Sequence, residues 1–192
     1  MTTHYGGRKM DVDMLNLKRA ARGDEQAFET LIAPHLDVTY RLCLRMMGNE
    51  QDAADMAQEA LVRAWRSLST YKAQSRFSTW LYRIATNVCL DELRKRKNRQ
   101  TESLQELKEA GFDPADEGDT PERAADRSET RRRLTAAIGC LTEEHRAALL
   151  LRDVHGLSYE EIAEVTGSTV GNAKVNYHIS KTKIKEYFKN NN

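Results

Sequence analysis

The chain has 192 residues, of which 40% are hydrophobic and 31% charged, and its formal net charge is +1 at pH 7. That length and composition predict one or two packed domains. No apolar run reaches the ~18 residues of a membrane span, and the first ten residues lack a signal peptide's apolar stretch, so a cytoplasmic protein without membrane insertion is expected. Cys43, Cys89 and Cys140 are spaced unlike a disulfide framework or a zinc site, and each is expected to be a buried free thiol.

Apolar residues between positions 13 and 47 follow helical spacing, with a break at residues 23 and 24. Asp24 is expected to cap a new helix after the break, because its carboxylate can accept a hydrogen bond from a free amide. Gly48 and Asn49 are expected to end this helical block, since both tolerate the left-handed conformation.

The next predicted helix runs from about residue 50 to 68, with Ala54, Leu61 and Ala64 among its inward residues. Its outer face is polar and includes Asp52, Asp55, Gln58, Glu59 and Arg63. Acidic residues near a helix start can simply complement the helix dipole. The alternative is a docking surface for a basic partner helix.

The stretch FSTWLYRIATNVCLDELRKRK, residues 77–97, carries two stripes at helical spacing. The apolar stripe predicts a helix packed on a core and consists of Phe77, Leu81, Ile84, Ala85, Val88 and Leu93. The other stripe consists of Trp80, Arg83, Asn87, Asp91 and Arg94. An aromatic ring, an amide and cations on one face suit unpaired bases, base edges and phosphates. The simpler alternative is a basic helix end that complements the dipole.

The loop before this helix, residues 69–76, mixes Tyr71 with Lys72 and Arg76. Aromatic and basic residues interleaved in a loop suit a strand whose bases have left the stack. At the other end of the helix the cluster Arg94, Lys95, Arg96 and Lys97 suits phosphate groups.

Residues 101–129 contain ten acidic and three basic residues and two of the three prolines, so a flexible acidic linker is expected there. Beyond the linker, Thr142 and Ser158 are expected to cap helices, the second in a capping box with Glu161. Gly167 would supply the sharp turn of a helix-turn-helix. Residues 169 to about 185 would then form its recognition helix.

Three blocks, DAADMAQEALVRAW (52–65), FSTWLYRIATNVCLDELR (77–94) and LTEEHRAALLLRDVHGLSYEEIAEV (141–165), resemble the extracytoplasmic-function (ECF) sigma factors of bacterial RNA polymerase, a branch of the sigma-70 family. The first two resemble the family's region 2, and the third resembles its region 4. The resemblance implies an all-α chain of two small helical domains: a region 2 bundle over residues 13–100 and a region 4 helix-turn-helix over residues 130–189. A flexible acidic linker, residues 101–129, would join them.

An ECF sigma factor binds core RNA polymerase, directs it to particular promoters and helps to melt the DNA. The resemblance therefore implies three partners: the clamp and flap of core polymerase, promoter DNA and an anti-sigma factor. It implies neither a cofactor nor an enzymatic activity of the chain itself. The sequence likewise offers no P-loop, no metal-binding cluster and no nucleophile beside a base.

The resemblance and the residue chemistry together assign three groups of site residues. The core polymerase-binding group is Asp52, Asp55, Gln58, Glu59 and Arg63. The group for minus-ten DNA binding and melting is Tyr71, Lys72, Arg76, Phe77, Trp80, Arg83, Asn87, Asp91, Arg94, Lys95, Arg96 and Lys97. The minus-thirty-five DNA-binding group is Thr169, Asn172, Lys174, Val175, Asn176 and His178.

The predicted recognition helix departs from the family. The family usually places Arg where Asn176 and Ile179 stand, so weaker phosphate and guanine contacts are expected. Asn172 and Asn176 could still read adenine, and Val175 or Ile179 could meet thymine methyl groups. Alternatively, the two apolar residues dock another protein.

Two other classes of function remain open at this point. One is a helix-turn-helix regulator that binds duplex DNA unaided, which the acidic linker and the single-strand character of residues 77–97 disfavour. The other is a decoy that binds polymerase or an anti-sigma factor and reads little promoter sequence, which the altered recognition helix allows.

Overall fold

A computed structural model describes residues 14–102, 130 and 132–191, with the side chains of residues 100–102 left aside. These residues form helices, turns and loops, and no strand occurs among them. None of their helices combines the length and apolar character that a bilayer crossing requires. Of the predicted acidic linker, residues 101 and 102 are described and belong to a helix, and its other residues lie outside the described part of the chain.

The helices follow one another in two groups, before and after the linker. The first group contains α1 (14–20), α2 (Glu25–Ile32), a 3-10 turn (Ala33–His35), α3 (Leu36–Met47), α4 (Glu50–Ser67), a second 3-10 turn (Leu68–Thr70) and α5 (Phe77–Glu102). The second group contains α6 (132–139), α7 (Glu143–Leu149) with a π-helical continuation (Leu150–Val154), α8 (Tyr159–Thr166) and α9 (Val170–Asn190). The all-helical, two-part architecture is confirmed, while the bounds of the two domains stay predictions.

Polar side chains and glycines begin and end the helices of the first group as expected. The Asp24 carboxylate accepts a hydrogen bond of 3.0 Å from the amide of Ala27 at the start of α2. Gly48 ends α3 with φ of 84°, in the left-handed region that a residue with a Cβ rarely adopts. Asn49, which was expected to help end that helical block, instead adopts an extended conformation with φ of −146° and caps α4, accepting a hydrogen bond from the amide of Asp52.

The second group contains the predicted helix-turn-helix. Ser158 and Glu161 form a capping box, in which the Ser158 hydroxyl accepts from the Glu161 amide and the Glu161 carboxylate accepts from the Ser158 amide. Gly167 turns the chain between α8 and α9 with φ of 64°. Thr142 stands at the predicted helix start, but its side chain makes no capping hydrogen bond. The recognition helix is longer than predicted and ends at Asn190.

The first apolar core joins α2, α4 and α5. Phe28 packs on Trp65 with ring centroids 4.9 Å apart, and Leu81 of α5 is fully buried in the same cluster. The inner face of α4 carries alanines where neighbouring helices approach closely, and Ala53 is buried on this face. The prediction that Ala54 faces inward was wrong, because Ala54 is exposed one residue further around the helix.

Helix α5 is buried along two sides instead of the one side that the sequence predicted. The predicted apolar stripe packs on the other helices of the first group, and Leu81, Ala85 and Val88 are fully or almost fully buried. A second stripe packs against the helix-turn-helix and consists of Thr79, Tyr82, Thr86 and Leu90. A single core of buried side chains therefore runs from α3 and α4 through α5 into α7, α8 and α9.

Hydrogen bonds and an aromatic contact reinforce the packing of the two groups. The guanidinium of Arg146, buried in α7, donates to the main-chain oxygen of Met46 in α3 and to that of Leu141. His155, just after the π-helical turn, stacks on Tyr82 of α5 with ring centroids 4.6 Å apart. Because a buried guanidinium without partners would be costly, the first contact couples the two groups tightly.

The cysteines depart in part from expectation. Cys43 of α3 and Cys89 of α5 are free and buried together in the shared core, as predicted. Cys140 is exposed at the end of α6, so the prediction of a buried thiol was wrong there. Its position in the turn between α6 and α7 places it outside the apolar stripe of either helix.

The burial of His155 makes stability depend on pH. Burial is the main reason that its pKa falls from 6.5 to about 4, and the positive charge of Arg45 acts in the same direction. Between those two pH values the unfolded chain binds a proton that the folded chain does not. The free energy of unfolding should therefore fall as the pH is lowered from about 6.5 to 4, by up to ~3 kcal/mol from this group.

Urea unfolding between pH 4 and pH 7 checks this expectation. His155→Asn should flatten the pH dependence of the free energy of unfolding in that window. His178→Asn, a change at an exposed histidine of α9, should leave the wild-type dependence in place. An unchanged slope in the His155 variant would contradict the assignment.

Candidate functional site

Aromatic side chains gather where the loop after α4 meets the start of α5. Tyr71, Phe77 and Trp80 lie with ring centroids 5.3 to 5.7 Å from one another. His35 extends the group, with its ring 5.6 Å from that of Phe77. The Tyr71 hydroxyl donates a hydrogen bond to the main-chain oxygen of Ser75, a residue of the same loop. The structure thus brings together the three aromatic residues that the sequence assigned to unpaired bases.

A cavity of about 370 Å³ opens beside this aromatic group. It is lined by Ser67, Thr70, Tyr71, Lys72, Gln74, Ser75, Trp80, Arg83, Ile84, Asn87 and Glu164. Its wall therefore offers two aromatic surfaces, an amide from Asn87 on α5 and cations from Lys72 and Arg83. Desolvation in this wall raises the pKa of Tyr71, which keeps its hydroxyl protonated as a donor. Glu164, the one lining residue from α8, was missed by the sequence.

The cations of α5 differ in how they are held. Arg83 donates to the Glu164 carboxylate at 3.3 Å, and Arg94 lies 4.0 Å from the Glu144 carboxylate. Both ion pairs join α5 to the helix-turn-helix half of the chain. Lys95 and Lys97 are exposed near the end of α5, and Lys72 and Arg76 are exposed in the loop.

Arg96 was grouped with the phosphate-binding cations, but its side chain lies between two carboxylates. It donates through both terminal nitrogens to Asp52 at the start of α4, at 2.7 Å for one of them, and through Nε to Glu92 at 2.9 Å. The hydrogen bond from Arg96 lowers the pKa of the Asp52 carboxyl, and the bond to Asp52 raises the pKa of Arg96. Asp52 and Arg96 thereby fasten the N-terminus of α4 to the C-terminal part of α5.

The other predicted polymerase-binding residues lie on the outer side of α4. Asp55 and Gln58 are exposed. The Glu59 carboxylate accepts a hydrogen bond of 2.7 Å from Arg63, whose guanidinium also reaches Asp91 on α5 at 3.5 Å. Asp91, assigned to the minus-ten group from the sequence, therefore neighbours Arg63.

The predicted minus-thirty-five residues at the start of α9 and along it differ in how exposed they are. Thr169 is the N-cap, its hydroxyl accepting from the amide of Asn172 at 3.1 Å. Lys174, Val175 and His178 are exposed, as is the side chain of Asn172. Asn176 is half-buried and lines, together with Asn172, a second cavity of about 450 Å³ between α9, α8 and α5.

Sequence reasoning missed the residues by which α7 and α8 meet α5. Thr79 of α5 donates to the Glu161 carboxylate at 3.3 Å, beside the pairs of Arg83 with Glu164 and of Arg94 with Glu144. No local pattern signals these contacts, because the partners are 50 to 82 positions apart in the chain. In the described part of the chain, no group of three or more His, Cys, Asp or Glu side chains is arranged to hold a metal ion.

Comparison with known proteins begins with protein families. A family model described as Sigma-70 region 2 matches residues 31–99, and one described as Sigma-70, region 4 matches residues 131–184. Both matched ranges fall within the domain ranges predicted from the sequence.

Curated relatives agree with the two family models. The chain is 37% identical over 166 residues to the RNA polymerase sigma-H factor of Pseudomonas aeruginosa, covering 84% of this chain and 86% of that protein. It is 34% identical over 170 residues to the ECF RNA polymerase sigma factor SigW of Bacillus subtilis, covering 84% and 89%. The ECF RNA polymerase sigma factor SigE of Mycolicibacterium smegmatis is 37% identical over 172 residues, and the chain spans only 65% of its length.

Two solved structures share the fold. One is the sigma factor RpoE in complex with the anti-sigma factor NepR from Bartonella quintana, with a TM-score of 0.67 and 21% identity over 84% of this chain and 96% of that one. The other is CnrH in complex with the cytosolic domain of CnrY, with a TM-score of 0.66 and 24% identity over 94% and 99%. The two family matches and the relatives at 34 to 37% identity show that the chain belongs to the ECF sigma factors of the sigma-70 family.

Proposed function

We propose that this chain binds core RNA polymerase in the bacterial cytoplasm, directs it to particular promoters and helps to melt the DNA, under the control of an anti-sigma factor. The observation that carries the proposal is the cavity walled by Tyr71 and Trp80 beside the cations of α5. The relatives named as RNA polymerase sigma factors support the polymerase partner. The anti-sigma factor is supported by the RpoE structure, whose partner is named as one.

Melting requires that a base which has left the stack find a favourable site. The cavity of about 370 Å³ lies within the range of small-molecule sites, roughly 300 to 1,000 Å³, and offers rings for stacking and polar groups for base edges. A stacked base gains about 1 to 3 kcal/mol at each aromatic platform. Tyr71 and Trp80 would therefore stabilise an unpaired base of the minus-ten element, with Asn87 placed to read its edge.

Phosphate groups of the same strand would lie along the cations beside the cavity. Lys72 and Arg76 approach from the loop, and Arg83 and Arg94 lie along α5, followed by Lys95 and Lys97. Each neutralised phosphate releases counterions, which favours binding at moderate salt. Arg96 and Asp91 serve this surface as positioning residues, because their charges already meet Asp52 and Arg63.

The outer side of α4 supplies the proposed contact with the polymerase clamp. Asp55 and Gln58 are exposed there, and Glu59 adds a second carboxylate one turn beyond Asp55. Acidic groups on a rigid helix suit a basic partner surface, which they also attract during encounter. The proposed DNA-binding and polymerase-binding residues adjoin where Arg63 of α4 meets Asp91 of α5. RNA synthesis itself we assign to the polymerase.

The two alternatives from the sequence are less favoured. A regulator acting alone on duplex DNA would have little use for an aromatic cavity suited to unpaired bases. A decoy without promoter reading would leave that cavity and the exposed face of α9 without a role.

Transcription in vitro tests the proposed function. Purified core bacterial polymerase is incubated with a pool of random promoters, with and without the chain, and the transcripts are sequenced. A two-part promoter motif should be enriched only when both proteins are present. Asp55→Lys combined with Glu59→Lys should weaken polymerase binding by at least tenfold, because like charges then face the clamp. Glu29→Lys, at an exposed glutamate of α2, is the matched control and should bind as the wild type does.

Three outcomes would contradict parts of this account. Polymerase binding without transcription would favour the decoy, and absence of polymerase binding would favour a free-standing regulator. Unchanged affinity in the doubly reversed variant would remove the outer side of α4 from the polymerase interface.

Trp80→Ala separates melting from polymerase binding. The change should reduce open-complex formation by about 5- to 150-fold, the equivalent of one stacked base, with little change in polymerase affinity. Trp80→Phe keeps an aromatic surface and should retain most of the activity. Permanganate reactivity of unpaired thymines measures melting, and titration with labelled polymerase measures binding. Equal losses of both in the Ala variant would argue that Trp80 only supports the fold.

A further inference from the structure

One side of α9 has an unusual chemistry for reading DNA. Asn172, Val175, Asn176 and Ile179 recur at intervals of three and four residues, so they share one side of the helix. Val175 and Ile179 are among the exposed large hydrophobic residues, with 54% and 36% of their surface accessible. The helix contains no arginine anywhere along its length.

Each base pair presents a distinct pattern in the major groove, and the side chains of α9 match only part of it. Guanine is read mainly by Arg or Lys through its two acceptors, whereas an Asn amide pairs with the acceptor and donor of adenine. Apolar side chains contact the methyl group of thymine. Two amides beside two branched apolar residues on one stripe therefore fit adenine and thymine.

Lys183 continues this stripe, four residues beyond Ile179. Lys174, Lys181 and Lys185 lie on nearly the opposite side of the helix, and two of them are already engaged: Lys181 with the Asp153 carboxylate at 3.1 Å and Lys174 over the ring of Tyr159. A phosphate contact from Lys183 would fix the position of the helix on DNA without reading sequence.

We propose that Asn172, Val175, Asn176 and Ile179 make this chain select an A·T-rich upstream promoter element, with the thymine methyl groups read by Val175 and Ile179. The inference rests on the proposed function, because it concerns the element that α9 would read. It goes further by naming the base pairs and the residues that choose them.

Deoxyuridine tests the methyl contacts directly, since it differs from thymidine only by the absence of that group. Transcription is measured from a selected promoter whose upstream thymines are replaced one at a time. At contacted positions the wild-type chain should lose about fourfold per methyl group. The Val175→Ala variant should support less transcription. At the position that Val175 contacts, replacing thymidine by deoxyuridine should no longer reduce transcription by this variant. Val154→Ala removes the same two methyl groups from a valine that is 48% exposed outside α9, and it should respond as the wild type does.

A selection of random duplexes by the chain alone, without polymerase, keeps the two proposals distinguishable. Transcription from promoters with G·C-rich upstream elements, or indifference of the wild type to deoxyuridine, would overturn the A·T reading and leave the sigma function standing. A·T-rich duplexes selected by a chain that supports no transcription would overturn the function and leave the reading standing. A chain that neither supports transcription nor selects A·T-rich duplexes would overturn both the proposed function and the A·T preference.

A second inference comes from the contacts between α5 and the helix-turn-helix. Glu164 of α8 lines the cavity that the unpaired base would enter and pairs with Arg83 at its edge. Glu144 of α7 lies beside Arg94. In this arrangement carboxylates of region 4 occupy positions that strand phosphates would take along α5.

We infer that the described arrangement is a closed state, in which region 4 shields the single-strand surface of region 2 until the two separate. The buried stripe of α5 and the hydrogen bond from Arg146 to Met46 hold the two regions together, and the acidic residues add complementary charge. Because Glu164 lies in the cavity wall, a strand would bind more weakly in the closed state, and its apparent affinity would rise with the open fraction.

Charge removal at the contact tests the closed state. Glu144→Gln combined with Glu164→Gln should raise the open fraction and tighten the binding of a single-stranded minus-ten oligonucleotide by about two- to thirtyfold, the range expected for two exposed ion pairs. Glu160→Gln combined with Glu186→Gln removes the same charge from exposed positions of α8 and α9 and serves as the control.

Energy transfer between dyes reports the separation of the two regions without DNA. Dyes are attached at Glu29→Cys and Lys189→Cys in a Cys140→Ser background, in which the remaining native thiols are buried. The chain that keeps Glu144 and Glu164 should show higher transfer than the Glu144/Glu164 variant. Equal transfer in the two chains, or equal oligonucleotide affinity in both double variants, would overturn the closed state. The transfer measurement needs no polymerase, so it is independent of the proposed function.

Discussion

The burial of α5 on two opposite sides is the constraint on which the rest of the described structure depends. One side supports the bundle with α2, α3 and α4, and the other receives the helix-turn-helix through Thr79, Tyr82 and Leu90. Burying apolar area is the main favourable contribution to folding, and a helix used twice contributes it twice. Arg83 and Asn87 consequently share one exposed strip of α5, where they border the cavity, whereas the interval on the other flank of the helix holds the buried Cys89.

The same helix links the proposed functions to the state of the chain. The side of α5 that packs on region 4 adjoins the side that carries the aromatic cavity. Closure of the two regions would therefore hinder the binding of a DNA strand at the cavity. Glu164 illustrates this hindrance, because its carboxylate lies in the cavity wall and on Arg83 at once. Asp55 and Gln58 of α4, which we propose to contact the polymerase, stay exposed in the closed arrangement.

Charged residues of the same type serve two purposes in this chain: some form ion pairs that hold helices together, and others stay available for a partner. Arg96 and Arg94 stand two positions apart in one basic cluster, yet Arg96 is held by Asp52 and Glu92 while Arg94 is exposed toward α7. A cation that already meets a carboxylate in good geometry gives up that contact to bind phosphate, so it is a poorer ligand than a solvated one. The position of each charge relative to neighbouring helices, and not the density of charge along the chain, decides its role.

The sequence by itself determined the helices, most of their caps and the family. Asp24, Gly48 and the Ser158 capping box act through the main chain within four residues, and local hydrogen bonding is legible in local sequence. It also grouped Tyr71, Phe77 and Trp80. Only the tertiary structure decided that Arg96 pairs with Asp52 and that Glu164 enters the cavity. Those facts depend on how separate helices are juxtaposed, and helical periodicity defines a face without naming what packs against it.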